Sequence, residues 1–527
     1  MLHNARLAVI ALIVLVISGC QSVAPLKTGS SVGQDAPVRY VKRAKDSSAE
    51  TPVRSVLLKL ELDKAETDLW QLTRDNMALP RATDNKTVAA RIKWYAKHDR
   101  YLDKTIVRAS DYYQYILREV LARGMPAELA LLPVIESSYD PFVKSPARAA
   151  GLWQFIPSTG DHFGLKRNWW YDGRRDVLAS TNAALTYLDY LHSYFDNDWL
   201  LALAAYNAGE GNVRRAIKKN RKLGKPTDFW SLDLPKETRA YVPKLLAISE
   251  LFRNPEKYGL SLTPLADEAR FAVVETGGQI DLARAAEFAG VDIEVIYKFN
   301  PGYSRWATDP EGPHRLLVPA DKAGRFADQL AQIDDSERMS WARYEVKPGD
   351  TLGAIANRFN TSVASVKSTN KLKGSTIRIG QSLLIPAALV SASDYALSAD
   401  QRTEQRLSRA APKGKAKQIH KVAAGDSLWT LSRIHGTTPK QIARWNDMGV
   451  GETLRIGQQL VIYVDKQGTS SNIAANAYKV QAGDSLTQIA AAHSVSVSDL
   501  LEWNNLDINS TLRLGQEIVV SAVAESS

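Results

Sequence analysis

The sequence predicts a multidomain chain: an all-α domain in its first half, followed by small α+β modules of βααβ order. Three observations predict it. From about Val88 to Phe252 apolar residues recur at helical spacing almost without a break. Beyond Tyr344 one pattern of strand, tight turn, two helices and return strand occurs three times. At the N-terminus a short apolar run ends at the single cysteine of the 527 residues.

Composition allows several cores, since 45% of residues are hydrophobic and 24% charged, which excludes wholesale disorder. A net charge of +10 and a pI near 9.3 suit nucleic acid, an anionic membrane or an acidic polymer alike. No nucleic-acid-binding signature accompanies the charge, so no nucleic-acid partner is expected. Residues Leu7–Ile17 form an unbroken apolar stretch behind Arg6. At eleven residues it falls short of the roughly 20 that span a bilayer and reads as the hydrophobic region of a secretory signal. Its end, Ile17-Ser18-Gly19-Cys20, resembles the lipobox of bacterial lipoproteins, which implies a signal peptide over 1–20 and a lipidated Cys20 holding the protein to a membrane. Gln21 stands where the inner-membrane retention signal would have Asp, so the resemblance implies the periplasmic face of the outer membrane. One cysteine also excludes a disulfide framework.

Residues 21–85 are polar and weakly patterned and are expected to be a tether and lead-in, with a helix near Ser55–Leu72. The helical domain is placed at 86–255. Pro126 suits the first position of the helix that carries Glu136. Amphipathic runs follow at Asp176–Phe195, Trp199–Ala208 and Pro235–Leu251. The Tyr187, Tyr190, Tyr194 stripe has the spacing of one helix face and reads as packing. Trp169-Trp170-Tyr171 is expected to divide between core and surface.

The three repeats begin at Tyr344, His420 and Tyr478, each running into Gly-Asp-Thr/Ser. In each, an asparagine (Asn370, Asn446, Asn504) follows the glycine by 21 residues, and Arg-Ile/Leu-Gly-Gln precedes a closing strand. The aspartate of the turn reads as a helix N-cap. Modules are placed at 342–388, 419–465 and 477–522, joined by a flexible linker at 389–418 and a shorter one at 466–476, as separate beads. They resemble LysM modules, which implies binding to N-acetylglucosamine-containing glycans. A stretch at 265–325, with Phe299-Asn300-Pro301, follows the same rhythm without the Gly-Asp turn and reads as a degenerate LysM-like module packed on the helical domain. Histidines show no metal-ligand spacing and no phosphate-cradling loop is present, so neither metal nor cofactor is expected.

Four islands in the helical segment carry the chemistry: Glu136-Ser137, Gly151-Leu-Trp-Gln-Phe155, Ala205-Tyr-Asn-Ala-Gly209 and Glu237-Thr-Arg-Ala-Tyr-Val242. Glu136 lies before Asp140-Pro141, near a helix end, where the helix dipole and apolar neighbours both raise a carboxyl pKa. In order and spacing the islands resemble the soluble lytic transglycosylase domain, a lysozyme-like helical fold, and with trailing LysM modules the chain resembles the membrane-bound lytic murein transglycosylase D group. That resemblance implies cleavage of the MurNAc-GlcNAc β-1,4 bond of peptidoglycan by Glu136 as sole acid and base, with 1,6-anhydro-N-acetylmuramic acid ends. Most glycosidases need two carboxylates, and a substrate-assisted route does not. By the same analogy Ser145, Gln154, Tyr206, Asn207 and Tyr241 bind substrate. Tyr206 and Tyr241 either bond near Glu136 or line the sugar cleft, and Trp153 is either core or a sugar platform. Arg148-Ala149 departs from the Gly-Ala usual before the glycine motif. Two alternatives stand beside this reading: a lysozyme-type hydrolase that uses water, and a non-catalytic peptidoglycan-binding scaffold.

Overall fold

The computed structural model describes residues 40–41, 68–465 and 477–520, apart from 482, 494, 505, 507–511 and 513. Cys20, the signal peptide, most of the lead-in and the linker at 466–476 lie outside the described residues.

The helical domain is built from ten α-helices: α1 (Leu69–Asp75), α2 (Lys86–Ala96), α3 (Asp99–Ala109), α4 (Tyr113–Ala122), α5 (Leu132–Glu136), α6 (Pro157–His162), α7 (Val177–Tyr194), α8 (Trp199–Ala208), α9 (Glu210–Lys222) and α10 (Lys236–Arg253). Polar N-caps set where several of them start: the side chains of Asp68, Asn85, Asp176 and Asp198 each accept from free backbone amides of the first turn. The domain starts earlier than the sequence suggests. Trp70 of α1 is buried against Tyr113 and Phe252, with ring centroids 4.6 and 4.8 Å away, and its Nε1 donates to Thr263 O at 2.8 Å. Residues 68–75 are therefore part of the core, not of a lead-in. Pro126 also differs from expectation. It caps a short 3₁₀ turn, Ala127–Leu131, and α5 begins only after it. That turn is pinned by Glu128, fully buried, whose carboxylate accepts from Ala78 N and Leu79 N at 3.0 Å each and pairs with Arg253 at 3.2 Å.

The next unit contains β1 (Tyr40–Val41), β2 (Phe271–Glu275), α11 (Leu282–Ala289), α12 (Ile293–Phe299), β3 (Arg315–Pro319) and α13 (Ala323–Ala331). β1 runs parallel to β2, and β2 antiparallel to β3. Each repeat is a two-stranded antiparallel pair enclosing two helices: β4 (Ser340–Glu345), α14 (Leu352–Arg358), α15 (Val363–Thr369) and β5 (Ser382–Ala387) in the first. The second has β6 (Lys415–Lys421), α17 (Leu428–Ile434), α18 (Pro439–Trp445) and β7 (Gln459–Asp465), and the third β8 (Ala477–Lys479), α19 (Leu486–Ala492), α20 (Val497–Asn504) and β9 (Glu517–Val519).

The spaced asparagine is the clamp of each repeat. Asn446 Nδ2 donates to Ile442 O and Val461 O, while its Oδ1 accepts from Val461 N, so one side chain ties the end of α18 to the return strand. Asn370 and Asn504 make the same three bonds. Asn300 makes them too, to Ile296 O, Leu317 O and Leu317 N, so the unit without the Gly-Asp turn keeps the same internal closure. The turn itself is shifted by one residue from expectation. The hydroxyl residue, not the aspartate, is the N-cap: Thr351, Ser427 and Ser485 accept from Ala354 N, Thr430 N and Gln488 N. The aspartates close the turn instead, Asp350 accepting from Lys347 N and Tyr344 OH, and Asp426 from Ala423 N.

Two expectations about the modules fail. The segment 389–418 is not a flexible linker: it holds α16 (Ala399–Ser408), and Tyr395 is buried with its hydroxyl at 2.9 and 3.0 Å from the two oxygens of Asp281. Alternating small and charged residues there concealed one aromatic anchor. Nor is the first repeat a separate bead, since Trp170 Nε1 donates to Ser365 Oγ at 3.0 Å and Trp306 Nε1 to Asn360 O at 2.7 Å. Buried indole N–H groups need partners, and the repeat supplies them.

Candidate active site

Glu136 is the last residue of α5, a helix that ends because Ser138 and Tyr139 take positive φ of 52° and 56°. The chain then turns to place the Gly151–Phe155 island alongside. Ser137 Oγ donates to Leu152 O at 3.0 Å, which joins the two islands. Gly151 has φ 81°, and a Cβ there would lie 2.0 Å from Arg174 O, so the glycine is required by both its dihedral and its close approach. α10 completes the site from the opposite side. Tyr241 OH donates to Glu136 Oε1 at 2.5 Å.

The electrostatics of Glu136 are those of a carboxyl held largely away from water. Burial raises its pKa, the Tyr241 bond pulls it back, Glu237 raises it and Lys244 lowers it, leaving a value of about 7 against the ordinary 4.5. Burial also pushes the Tyr206 and Tyr241 hydroxyls well above their usual range, helped by the Glu136 charge, so both remain proton donors.

The candidate residues fall into distinct positions. Tyr206 OH donates to Trp153 O at 2.9 Å, and Asn207 Oδ1 accepts from Thr238 Oγ1 at 2.8 Å. Thr238 was not singled out from the sequence, although its spacing of three from Tyr241 puts both on one face of α10. Gln154, at φ 50°, donates to Gly151 O at 2.8 Å. Ser145 is set within a turn, its Oγ accepting from Ala149 N at 3.1 Å. Trp153 is completely buried with Nε1 donating to Thr181 Oγ1, which decides for core and against a sugar platform. The tyrosine stripe is the converse case. Tyr187 packs on Tyr206 at 5.5 Å, but Tyr190 and Tyr194 are 49% and 38% exposed, so the packing expectation holds only for the first of the three. Among the described residues no group of three or more His, Cys, Asp or Glu is arranged to hold a metal.

Comparison with known proteins adds a family. The model of the transglycosylase SLT domain matches residues 118–229, that of the LysM-like domain of lytic transglycosylase MltD matches 270–335, and that of the LysM domain matches 344–386, 420–462 and 478–521. The chain is 36% identical over 478 residues to the membrane-bound lytic murein transglycosylase D of Escherichia coli (strain K12), covering 88% of this chain and 98% of that protein. It belongs to the membrane-bound lytic murein transglycosylase D family. Over 191 residues it is also 27% identical to an autolysin of Enterococcus faecalis (34% of this chain, 24% of that protein). Among solved structures it is similar to an inactive mutant of the lytic transglycosylase Slt from Pseudomonas aeruginosa, with 28% identity, 29% of this chain and 25% of that chain covered, and a TM-score of 0.22. The SLT match ends at 229, short of α10, yet in this family member Tyr241 of α10 is the side chain bonded to Glu136.

Proposed function

We propose that Glu136 is the single acid and base of the reaction, and that this reaction leaves 1,6-anhydro ends. The chain is a peptidoglycan lytic transglycosylase with LysM modules that bind peptidoglycan. The observation that carries the mechanism is the carboxyl of Glu136, held at a pKa of about 7 and hydrogen-bonded by a tyrosine. At neutral pH much of it is protonated and able to donate to the glycosidic oxygen. The leaving sugar takes that proton as the bond from the N-acetylmuramic anomeric carbon breaks. The substrate's own N-acetyl oxygen supports the developing positive charge, which replaces the second carboxylate. Glu136, now ionised, removes the proton of the C6 hydroxyl, and O6 closes on the anomeric carbon. The proton returns to Glu136 and no water is consumed, so the products together weigh what the substrate weighed.

Around this centre, Gln154, Asn207 and Ser145 supply polar groups for N-acetyl and hydroxyl groups, while Tyr206 and Tyr241 border the reacting carboxyl. Cys20 is proposed as the lipid attachment point, holding the enzyme on the periplasmic face of the outer membrane. Glu136→Gln is expected to abolish release of muropeptides from purified sacculi while leaving sacculus binding intact. Mass spectrometry of the wild-type digest is expected to give ends lighter by one water than hydrolysis would. Reducing ends alone would establish the hydrolase reading instead.

A further inference from the structure

We propose that the second LysM repeat braces the loop 143–150 of the catalytic cleft, with Lys144, Arg148, Gly449 and Glu452 as positioning residues. The inference rests on the lytic transglycosylase reading of the site but concerns a different part of the molecule. The loop is closed on itself by the Lys144–Ala150 bridge and by Ser145 N donating to Ala149 O at 2.9 Å. Inside it Arg148 stands at φ 64°, the left-handed region that favours glycine. A side chain held there persists only where its surroundings over-determine it. Some of that determination comes from the catalytic domain, where Arg174 Nη1 donates to Arg148 O at 2.6 Å. The rest comes from the segment just after Asn446.

Val450 N donates to Pro146 O at 3.1 Å, and Lys144 Nζ pairs with Glu452 Oε2 at 2.9 Å, with side chains 20% and 32% exposed. The same Glu452 oxygen accepts from Gly449 N at 3.0 Å, so the ion pair and the shape of the docking turn depend on each other. Gly449 lies directly on Arg148: a Cβ there would stand 2.1 Å from Arg148 Cγ and 3.1 Å from Pro146 O. The arginine held at positive φ in the cleft loop is thus the one received by a glycine of the repeat. α16 acts as a strut behind the contact, Arg406 Nη1 reaching Asp447 Oδ2 at 3.2 Å and the Arg402 guanidinium lying 4.9 Å over the Phe142 ring.

Repeat 2 alone has the chemistry for this. Three residues after the clamp asparagine the repeats carry Lys373, Gly449 and Asp507, and six after it Thr376, Glu452 and Ser510. The loop in turn feeds the site, because it runs directly into Gly151 and Leu152, and Leu152 O holds Ser137 next to Glu136. A loop released from the repeat lowers the fraction of molecules with a competent cleft. Turnover then falls, and because Ser145 lies in this loop substrate affinity weakens with it.

The test uses the full chain and soluble, uncrosslinked GlcNAc-MurNAc strand fragments. Glu452→Lys and Lys144→Glu are each expected to lower kcat/KM about three- to tenfold and to speed amide hydrogen exchange across 143–150. The paired swap Lys144→Glu with Glu452→Lys is expected to recover most of both. Gly449→Val, a change confined to the repeat, is expected to reproduce the single reversals. Single reversals that turn over and exchange like wild type would overturn the brace, as would a paired swap no better than its worse parent. Exchange needs no activity, so a wild-type enzyme inert on the fragments would count against the catalytic reading and leave the brace to be decided by the exchange data.

Discussion

Glu136 holds a proton in the folded protein that the unfolded chain gives up, and this has a consequence for stability. Its folded pKa of about 7 lies above the ordinary 4.5, so between those values the folded state binds more protons than the unfolded one and stability falls as pH rises. Below about pH 4.5 the group costs nothing, and above about pH 7 the full penalty is present. Glu136→Gln is therefore expected to match wild type near pH 4 and to exceed it by about 1–3 kcal/mol above pH 7, read by denaturant unfolding across that range. Activity that needs the protonated form declines through the same upper region. The Tyr241 bond lowers the Glu136 pKa, so Tyr241→Phe is expected to shift the alkaline limb of the kcat profile to higher pH; a limb that stays or moves down would remove the tyrosine from this role. At this scale the sequence made Glu136 a candidate through the order and spacing of four islands, since a glutamate before Asp140-Pro141 taken alone reads equally as a solvated helix end. It could not make Thr238 legible, because that hydroxyl matters only through Asn207, 31 residues earlier.

At the scale of single elements, the asparagine clamp explains a spacing that the sequence only displays. The separation of 21 residues is the chain length from the turn glycine through two short helices to the point where one amide can reach both α18 and β7. Asn446 is buried, so Asn446→Ala would take from Val461 N and Val461 O the partners that the side chain supplies. A loss of about 2–4 kcal/mol is expected, concentrated in repeat 2, whose small core has little reserve. Hydrogen exchange should show β6 and β7 opening before the helical domain. In the Gly-Asp-Thr/Ser motif the helix cap sits one residue later than the sequence suggests. Either an aspartate or a hydroxyl can cap a helix, and only the backbone turn decides which of the two faces the free amides.

For the whole molecule, the chief difference lies in where units begin and which of them touch. A chain starting at residue 86 would delete Trp70 and the α1 face packed on Tyr113 and Phe252. It is expected to lose at least about 3–5 kcal/mol relative to a chain starting at residue 60. Equal melting temperatures for the two would return residues 68–75 to the tether. Polar flanks hid how α1 docks, since only Leu69, Trp70 and Thr73 carry its attachment. The docking of repeats 1 and 2 was hidden for a related reason: each contact uses a few residues from segments distant in the chain, such as Ser365 on Trp170 and Glu452 on Lys144.

The sequence by itself determined the all-α domain and the three repeats, and singled out Glu136 through the order of four short islands, because helical periodicity, turn chemistry and motif spacing are properties of the chain alone. The tertiary structure decided which tyrosine bonds that carboxyl, which tryptophans are core, and that the second repeat rests on the cleft loop. Those outcomes depend on desolvation and on contacts between residues far apart in the chain, and both come into being only when the helices and repeats pack.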